Sequence, residues 1–336
     1  MHIRSTRMLM GIVLGATVAA LLVGAMGTSA TPRAEAAGVF ARRHATRTPT
    51  ALPATPTPTS TPVAAGGPRI AGCPTLPADN IWNARVDHLP VHPLSASYIS
   101  SIGASVGLHP DFGTVYNGAP NGIPFISVPG SQPRVAVSFT YADESDPGPY
   151  PIPANAPIEG GPSFTGDGSW TAGSGAVFPL TSDALRPAGW TSADAAGLPI
   201  LPGLVRYDEV SAGSIAHAVR FTAQVTQRAY VWPARHFASS NTSTSVPPMG
   251  TRLRLKSSVD ISHFSAANQV ILRALQEYGM ILADNGSNLF ISGAPDSRWD
   301  DSDLGNLHQI IGSNLEVVDT SALEIDPNSG QAKPAP

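Results

Sequence analysis

The sequence predicts a mainly β fold: an antiparallel β-sandwich or jelly-roll-like domain with two short helices near the C-terminus. Short runs with period-two alternation recur along the chain, and turn residues punctuate the spacers between them. No regular alternation of strand and long helix suggests βαβ units. With 42% hydrophobic and 13% charged residues there is enough apolar material for a core.

The strands can be taken in order. Arg134–Tyr141 sets Val135, Val137 and Phe139 against Arg134, Ala136 and Ser138. Ile215–Phe221 sets Ile215, His217, Val219 and Phe221 against Ala216, Ala218 and Arg220. Arg228–Trp232 follows, then Thr251–Lys256, with Leu253 and Leu255 opposite Arg252, Arg254 and Lys256. Asn117–Gly118, Asn121–Gly122, Pro129–Gly130, Gly160–Pro162 and Pro202–Gly203 mark turns between such runs. Ser265 caps a helix to Tyr278 whose Ala267, Ile271, Leu275 and Tyr278 share a face, and Gly279 stops it. Asp303–Ile311 is a shorter helix. Between the two, Met280–Ala283 and Leu289–Ser292 flank Asp284–Asn285–Gly286, which reads as a hairpin turn.

The front of the chain is different. Residues 1–30 carry Arg4 and Arg7 ahead of an uncharged apolar run, then small residues. That is a signal peptide or, uncleaved, an N-terminal anchor. Residues 31–66 form a Thr/Pro-rich stalk in which proline removes amide donors and favours extended backbone, so no core can form. Residues 67–323 are the single globular domain, and 324–336 a disordered tail. Ile70–Cys73 imitates a lipobox but lies far from the apolar run, and one cysteine excludes a disulfide scaffold. From residue 67 onward the chain carries 14 basic and 23 acidic residues, a formal net charge of −9. That sign disfavours nucleic acid and anionic membrane as partners. Membrane contact is left to a retained N-terminal anchor.

Candidate chemistry is spread over several blocks. His217 shares the apolar face of its strand. Such a residue is either a core histidine with satisfied ring nitrogens or, if the face lines a cleft, a general base. Tyr207, Asp208 and Glu209 close an apolar run and could serve it as acid/base partners. Tyr230, Trp232, Arg235 and His236 join aromatic, guanidinium and imidazole groups near a strand end, as a sugar-binding face would; packing is the alternative. Asp143, Glu144 and Asp146 form either a solvated turn or a carboxylate pair, and Glu159 is a further acidic candidate. Asp296, Asp300, Asp301 and Asp303 surround Trp299 without EF-hand spacing, so calcium is weakly supported, helix capping explains part of the cluster, and no other cofactor is indicated. No G-x-S-x-G, H-E-x-x-H, P-loop or dinucleotide fingerprint occurs.

The blocks DNIWNARVDHLP (79–90), LHPDFG (108–113), DESDPGPYPIP (143–153), GWTSADAAGLPILPGLVRYDEV (189–210), YVWPARH (230–236) and YGMILADNGS (278–287) resemble an uncharacterised group of secreted bacterial proteins. The resemblance spans most of residues 79–322 and implies an extracytoplasmic location, but no activity. It also implies a departure. Similar members carry a further strand-like stretch, with an Asp-Arg-His triplet, a cysteine and a Leu-Tyr-Glu triplet, where this chain runs from Asp167 straight to Trp170. Their acid/base candidates, and a partner for Cys73, would then be missing here.

The resulting expectation is an exported or cell-surface protein that engages polysaccharide through its β-rich domain. The alternatives are a polysaccharide-cleaving hydrolase or lyase using His217, Tyr207, Asp208 or Glu209, and a structural surface protein without a small ligand. That enzyme reading gains if His217, His236 and at least one of Glu144, Glu159 or Glu209 converge in one groove, and fails if they scatter.

Overall fold

The computed structural model describes residues 68–159 and 170–334. Residues 1–30, read as a signal peptide or anchor, and 31–66, read as a stalk, lie outside the described residues, as do residues 160–169, read as shortened. Among the described residues no helix is long and apolar enough to cross a membrane.

The strands are β1 (Arg69–Ile70), β2 (Cys73–Pro74), β3 (His109–Asp111), β4 (Val115–Tyr116), β5 (Ala119–Pro120), β6 (Val137–Phe139), β7 (Trp170–Ala172), β8 (Val219–Ala223), β9 (Arg252–Leu255), β10 (Met280–Asn285), β11 (Phe290–Ser292) and β12 (Leu315–Val317). The helices are α1 (Ser95–Ile102), α2 (Tyr207–Ser211), α3 (Ala266–Glu277) and α4 (Asp301–Gly305). Six strands form one curled sheet in the order β12-β9-β10-β8-β11-β3, and the others pair as β1–β2, β4–β5 and β6–β7. Strand and helix take nearly equal shares, 21% and 19%, so the chain is strand-rich and mixed.

The large sheet departs from the antiparallel expectation. β10 runs parallel to β8, and β11 runs parallel to β3. The connection from β8 to β10 contains β9 and α3, which gives the chain the length a parallel return needs. The expected hairpin is also absent, because β8 lies between β10 and β11. The backbone at Gly286 and Leu289 bonds instead to Ala223 O (3.1 Å) and Thr222 O (3.2 Å) of β8. Two adjacent apolar runs around Asn-Gly look alike whether they pair with each other or with a strand inserted between them.

α3 follows its sequence signals. Ser265 accepts a hydrogen bond from Asn268 N at 3.1 Å, and Gly279 takes φ +66° just past the helix. A Cβ at Gly279 would stand 2.2 Å from Leu253 O, so the close approach of α3's end to β9 requires glycine. The second helix is shorter than Asp303–Ile311: α4 gives way to a 3-10 turn over Asn306–Gln309. Asp300 caps it by accepting from Ser302 N and Asp303 N. α1 and α2 carried no clear sequence signal. The tail is not free either. Ile81 N bonds Gly330 O at 2.8 Å, Ala332 N bonds Asp79 O at 2.8 Å, and Ala332 is buried. Residues 324–334 therefore belong to the domain.

The two faces of the sheet differ in kind. Register puts Val219, Phe221, Met280, Leu282, Leu253, Leu255, Leu315, Val317 and Ile291 on one face, within the main core cluster that also holds α3's Ile271, Leu272 and Leu275. The other face carries Arg252 and Arg254 on β9, Arg220 on β8, Ser292 on β11 and Asp111 on β3. Arg252 donates to Tyr278 O (2.7 Å), Ile81 O (3.1 Å) and Ala84 O (3.1 Å), and Arg254 to Val86 O, Leu89 O and Glu316. Segment 81–89 is thus fastened across the β9 side of this face by guanidinium groups. The β8–β11–β3 side of the same face carries the candidate site.

Candidate functional site

Arg220 stands at the centre. Strand alternation turns it away from Val219 and Phe221, and burial obliges its guanidinium to find partners. Its Nε lies 2.7 and 3.0 Å from the two oxygens of Asp194, its Nη2 lies 2.6 Å from Asp194 Oδ1, and its Nη1 donates to Ser292 Oγ at 2.5 Å. Asp194 is fully buried. Its loop is pinned to β10 by Ala196 N to Ala283 O at 2.8 Å, and it is closed by Gly197, where a Cβ would meet Trp190 O. Burial pushes the Asp194 carboxyl up and the guanidinium opposes it. With both oxygens accepting guanidinium N–H groups, the pair is an ion pair, and Arg220 is held above its ordinary value by Asp194 against the effect of burial.

Three further carboxylates feel the same guanidinium. Asp284 follows an irregularity in β10 and comes within 3.6 Å of Arg220 Nη2, with a side chain 26% exposed. It accepts from the backbone N–H groups of Asn285 and Ala195. Burial, then the nearby Asp194 charge, nevertheless push its carboxyl up to about 6. Glu159 is half-buried and raised by burial and by the charges of Asp111 and Asp194, with Arg220 opposing. Asp111 is exposed to solvent, yet the protein crowded around its carboxyl raises it, while His109 and Arg220 pull it down.

Two imidazoles border this cluster. His236 Nδ1 donates to Ala195 O at 2.8 Å, and its Nε2 lies 3.5 Å from Glu144. The Ala195 peptide therefore joins His236 to Asp284: its carbonyl accepts from one and its N–H donates to the other. On β3, His109 stacks on Phe290 at 3.9 Å and shares a 2.9 Å hydrogen bond with His308. His308 Nδ1 sits 2.7 Å from Gly305 O and must donate there, so in the neutral pair His308 Nε2 accepts from His109 Nδ1. Burial, then His308, lower His109.

The candidates read from the sequence divide. Glu144, Glu159 and His236 come to the Arg220 side. His217, Tyr207, Asp208 and Glu209 do not. His217 is buried, with Nδ1 2.8 Å from Ala218 O and Nε2 3.1 Å from Glu209, and Glu209 also pairs with buried Arg206. Its ring nitrogens are thus both engaged, as the core reading requires. Tyr207 packs edge-on against Trp299 at 5.0 Å beneath Arg298, and Asp208 is exposed 3.7 Å from Arg206. No hydrogen bond or ion pair among the described residues joins this set to the Arg220 network. The three-way meeting of His217, His236 and a glutamate does not occur, so cleavage built on His217, Tyr207, Asp208 or Glu209 fails, and acid/base chemistry would have to come from a different set of groups.

The proposed sugar face also divides. Arg235 is buried, its guanidinium committed to Arg186 O, Pro327 O and Asn328, so it is a structural clamp and not a binding group. Tyr230 stacks with Phe237 at 6.5 Å, and Trp232 donates its indole N–H to Ser329 O at 2.8 Å. Asp146 is spent on Arg186 and Val177 N. In the acidic loop Asp296 pairs with Arg298, Asp300 caps α4, Asp301 takes Thr114 and Asp303 takes Ser265. Among the described residues no group of three or more His, Cys, Asp or Glu is arranged to hold a metal ion.

Asp194, Arg220, Asp284, Asp111 and His109 carry no functional mark in the sequence: Asp284 reads as part of a turn and Arg220 as the polar face of a strand. Their one local signal was a charged residue beside or directly after an uninterrupted apolar run: Ala218–Val219 before Arg220, and Met280–Ala283 before Asp284. Comparison with protein-family models, with curated proteins and with solved structures finds no match to this chain.

Proposed function

We propose that this is an exported protein that cleaves polysaccharide, with the Arg220-centred cluster as its acid/base site. Export is supported by the charged, apolar and small-residue order of residues 1–30 and by the Thr/Pro stalk after it. The sandwich-like architecture belongs to the same reading, supported by the period-two alternation of the sequence.

The observation that carries the proposal is Asp284. It is partly exposed, 3.6 Å from a guanidinium already committed to Asp194, and it keeps its proton to about pH 6. A carboxylic acid of this kind donates to the leaving oxygen of a glycosidic bond. A second carboxylate, Asp111 or Glu159, takes a proton from the attacking water as the water oxygen bonds to the anomeric carbon. The glycosidic C–O bond breaks as the new C–O bond forms, Asp111 or Glu159 passes the proton it took from water to solvent, and Asp284 regains one from solvent, so each turnover balances. Arg220 and Ser292 are positioning groups that hold Asp194 and set the field around Asp284.

The test is release of new reducing ends from a panel of bacterial and plant polysaccharides by the chain from residue 67 onward. Wild type should shorten one of them, Asp284→Asn should lose at least about a hundredfold in rate, and His217→Gln should retain activity. Retardation of every polymer in an affinity gel without shortening would overturn cleavage and leave a binding protein. Loss of activity in His217→Gln, with a stable fold, would move the chemistry to the Glu209 side.

A further inference from the structure

A cavity of about 310 Å³, lined by none of Arg220, Asp194, Asp284 or Asp111, lies between Tyr98 of α1, the Val231–Trp232 segment, and Val317–Ser321 with Glu324, which end and follow β12. That volume is at the lower end of the range for small-molecule sites.

Its walls are built for a ligand with hydroxyl groups. Tyr98 is 94% buried, since only 6% of its surface is accessible, and it lies parallel to His92 at 5.7 Å. Its hydroxyl makes no hydrogen bond to the protein among the described residues and is not one of the sealed-off polar atoms, so it is left open at the cavity it lines. His92 Nδ1 accepts from Leu94 N at 3.1 Å, which leaves Nε2 to carry the proton of the neutral ring. Trp232 is fixed through its indole N–H, so it can offer the cavity only the carbon surface of its ring. Asp319 accepts from Ser321 N at 2.9 Å, and the Ser321 hydrogen bonds keep its carboxyl below the usual range. Glu324 adds a second carboxylate to the lining. Two donors, two acidic acceptors and a locked indole therefore face one space.

The charge argues against an anionic ligand. The nearest guanidinium, Arg252, is spent on three backbone carbonyls, whereas Asp319 and Glu324 are negative. Carboxylates accept from paired sugar hydroxyls, and an aromatic ring packs against the C–H face of a pyranose.

We propose that this cavity is a second carbohydrate site, taking one uncharged pyranose residue between Trp232 and Tyr98. Its sugar identity rests on the polysaccharide reading above; its existence as a ligand site rests on the cavity itself and on the fixed Trp232 ring, the Tyr98 hydroxyl and the two carboxylates that line it together. A protein that cleaves a polymer at one place and holds it at another gains retention from the second contact without any new chemistry.

The experiment titrates the chain from residue 67 onward by ligand-observed NMR with methyl β-glucopyranoside, N-acetylglucosamine, sodium galacturonate and tetramethylammonium chloride. At least one uncharged sugar should bind saturably. Tyr98→Phe should weaken it about three- to tenfold, Trp232→Ala should abolish it, and Asp284→Asn should leave it unchanged. Tyr98→Phe should also keep the wild-type melting temperature, because the lost hydroxyl holds nothing in the protein. Saturable binding of tetramethylammonium or galacturonate alone would overturn the assignment. So would sugar binding indifferent to Tyr98→Phe, or no sugar binding at all. Sugar binding lost in Asp284→Asn and kept in Trp232→Ala would place the sugar at the Arg220 cluster and sink the second site. Absence of polysaccharide cleavage with these results intact would sink only the catalytic reading.

Discussion

Arg220 and Arg252 sit on the same face of one sheet, two strands apart, and both are buried. They are satisfied in opposite ways. Arg252 has three backbone carbonyls and no carboxylate, and burial pulls it down to about 9. Arg220 has one committed carboxylate and three more within its field, and it is held above its ordinary value. A buried cation whose partners are all neutral carbonyls fastens one segment to another. A buried cation surrounded by more carboxylates than it can bind leaves the others above their ordinary range, and a raised carboxyl is what acid/base chemistry uses. The difference marks one half of the face as scaffold and the other as site.

The sharpest way to break this contrast is to remove each arginine in turn. Arg220→Met strands Asp194 in the interior without a cation and should cost about 3–5 kcal/mol in urea unfolding. Adding Asp194→Leu to it should recover much of that loss, since no charge is then left unpaired. Arg252→Met strands only carbonyls, so its cost should be smaller, about 2–4 kcal/mol, and should not be relieved by Asp194→Leu. Equal costs with equal rescue would erase the distinction.

Asp284→Asn should act in the opposite direction. The folded carboxyl titrates at about 6 against 3.8 unfolded, so between those values the native state binds more protons. Stability therefore falls as pH rises from about 4 through 6 and stays lowered above it. Removing the charge should raise stability at pH 7 by about 1–3 kcal/mol, allowing for partial exposure, and should flatten that slope in melts taken from pH 4 to 8. Activity and stability would then move apart at one residue, as expected where a site is held at a cost to the fold.

A smaller effect separates the two histidine sets. His217→Gln should cost about 1–3 kcal/mol by disturbing Glu209 and Arg206, with no change in the pH dependence assigned to Asp284. The exposed Asp296–Arg298 pair should matter least, and Arg298→Ala should leave the melting temperature where it is.

How much of this was legible in the sequence follows from the range of each interaction. The cap and stop of α3 are local, and Ser265 and Gly279 announced them. The opposite faces of Leu253 and Arg252, or of Phe221 and Arg220, were visible in period two. Strand order was not, because Met280–Ala283 and Leu289–Ser292 present the same alternation whether they pair directly or admit β8 between them. The site failed to show for the same reason. Asp194, Arg220, Asp284 and Asp111 come from four separate blocks, and only the sheet brings them together. Glu144, Glu159 and His236 were singled out on composition and did arrive there. His217 was singled out by its face and proved to be held in the core by Glu209.

The most direct measurement is a carbon-13 titration of the aspartate side-chain carboxyls in wild type and Asp284→Asn, from pH 3 to pH 8. One aspartate should titrate near pH 6, and that transition should vanish in the variant. Asp284 titrating in the ordinary carboxylate range, with no carboxyl left protonated beside Arg220, would contradict the account.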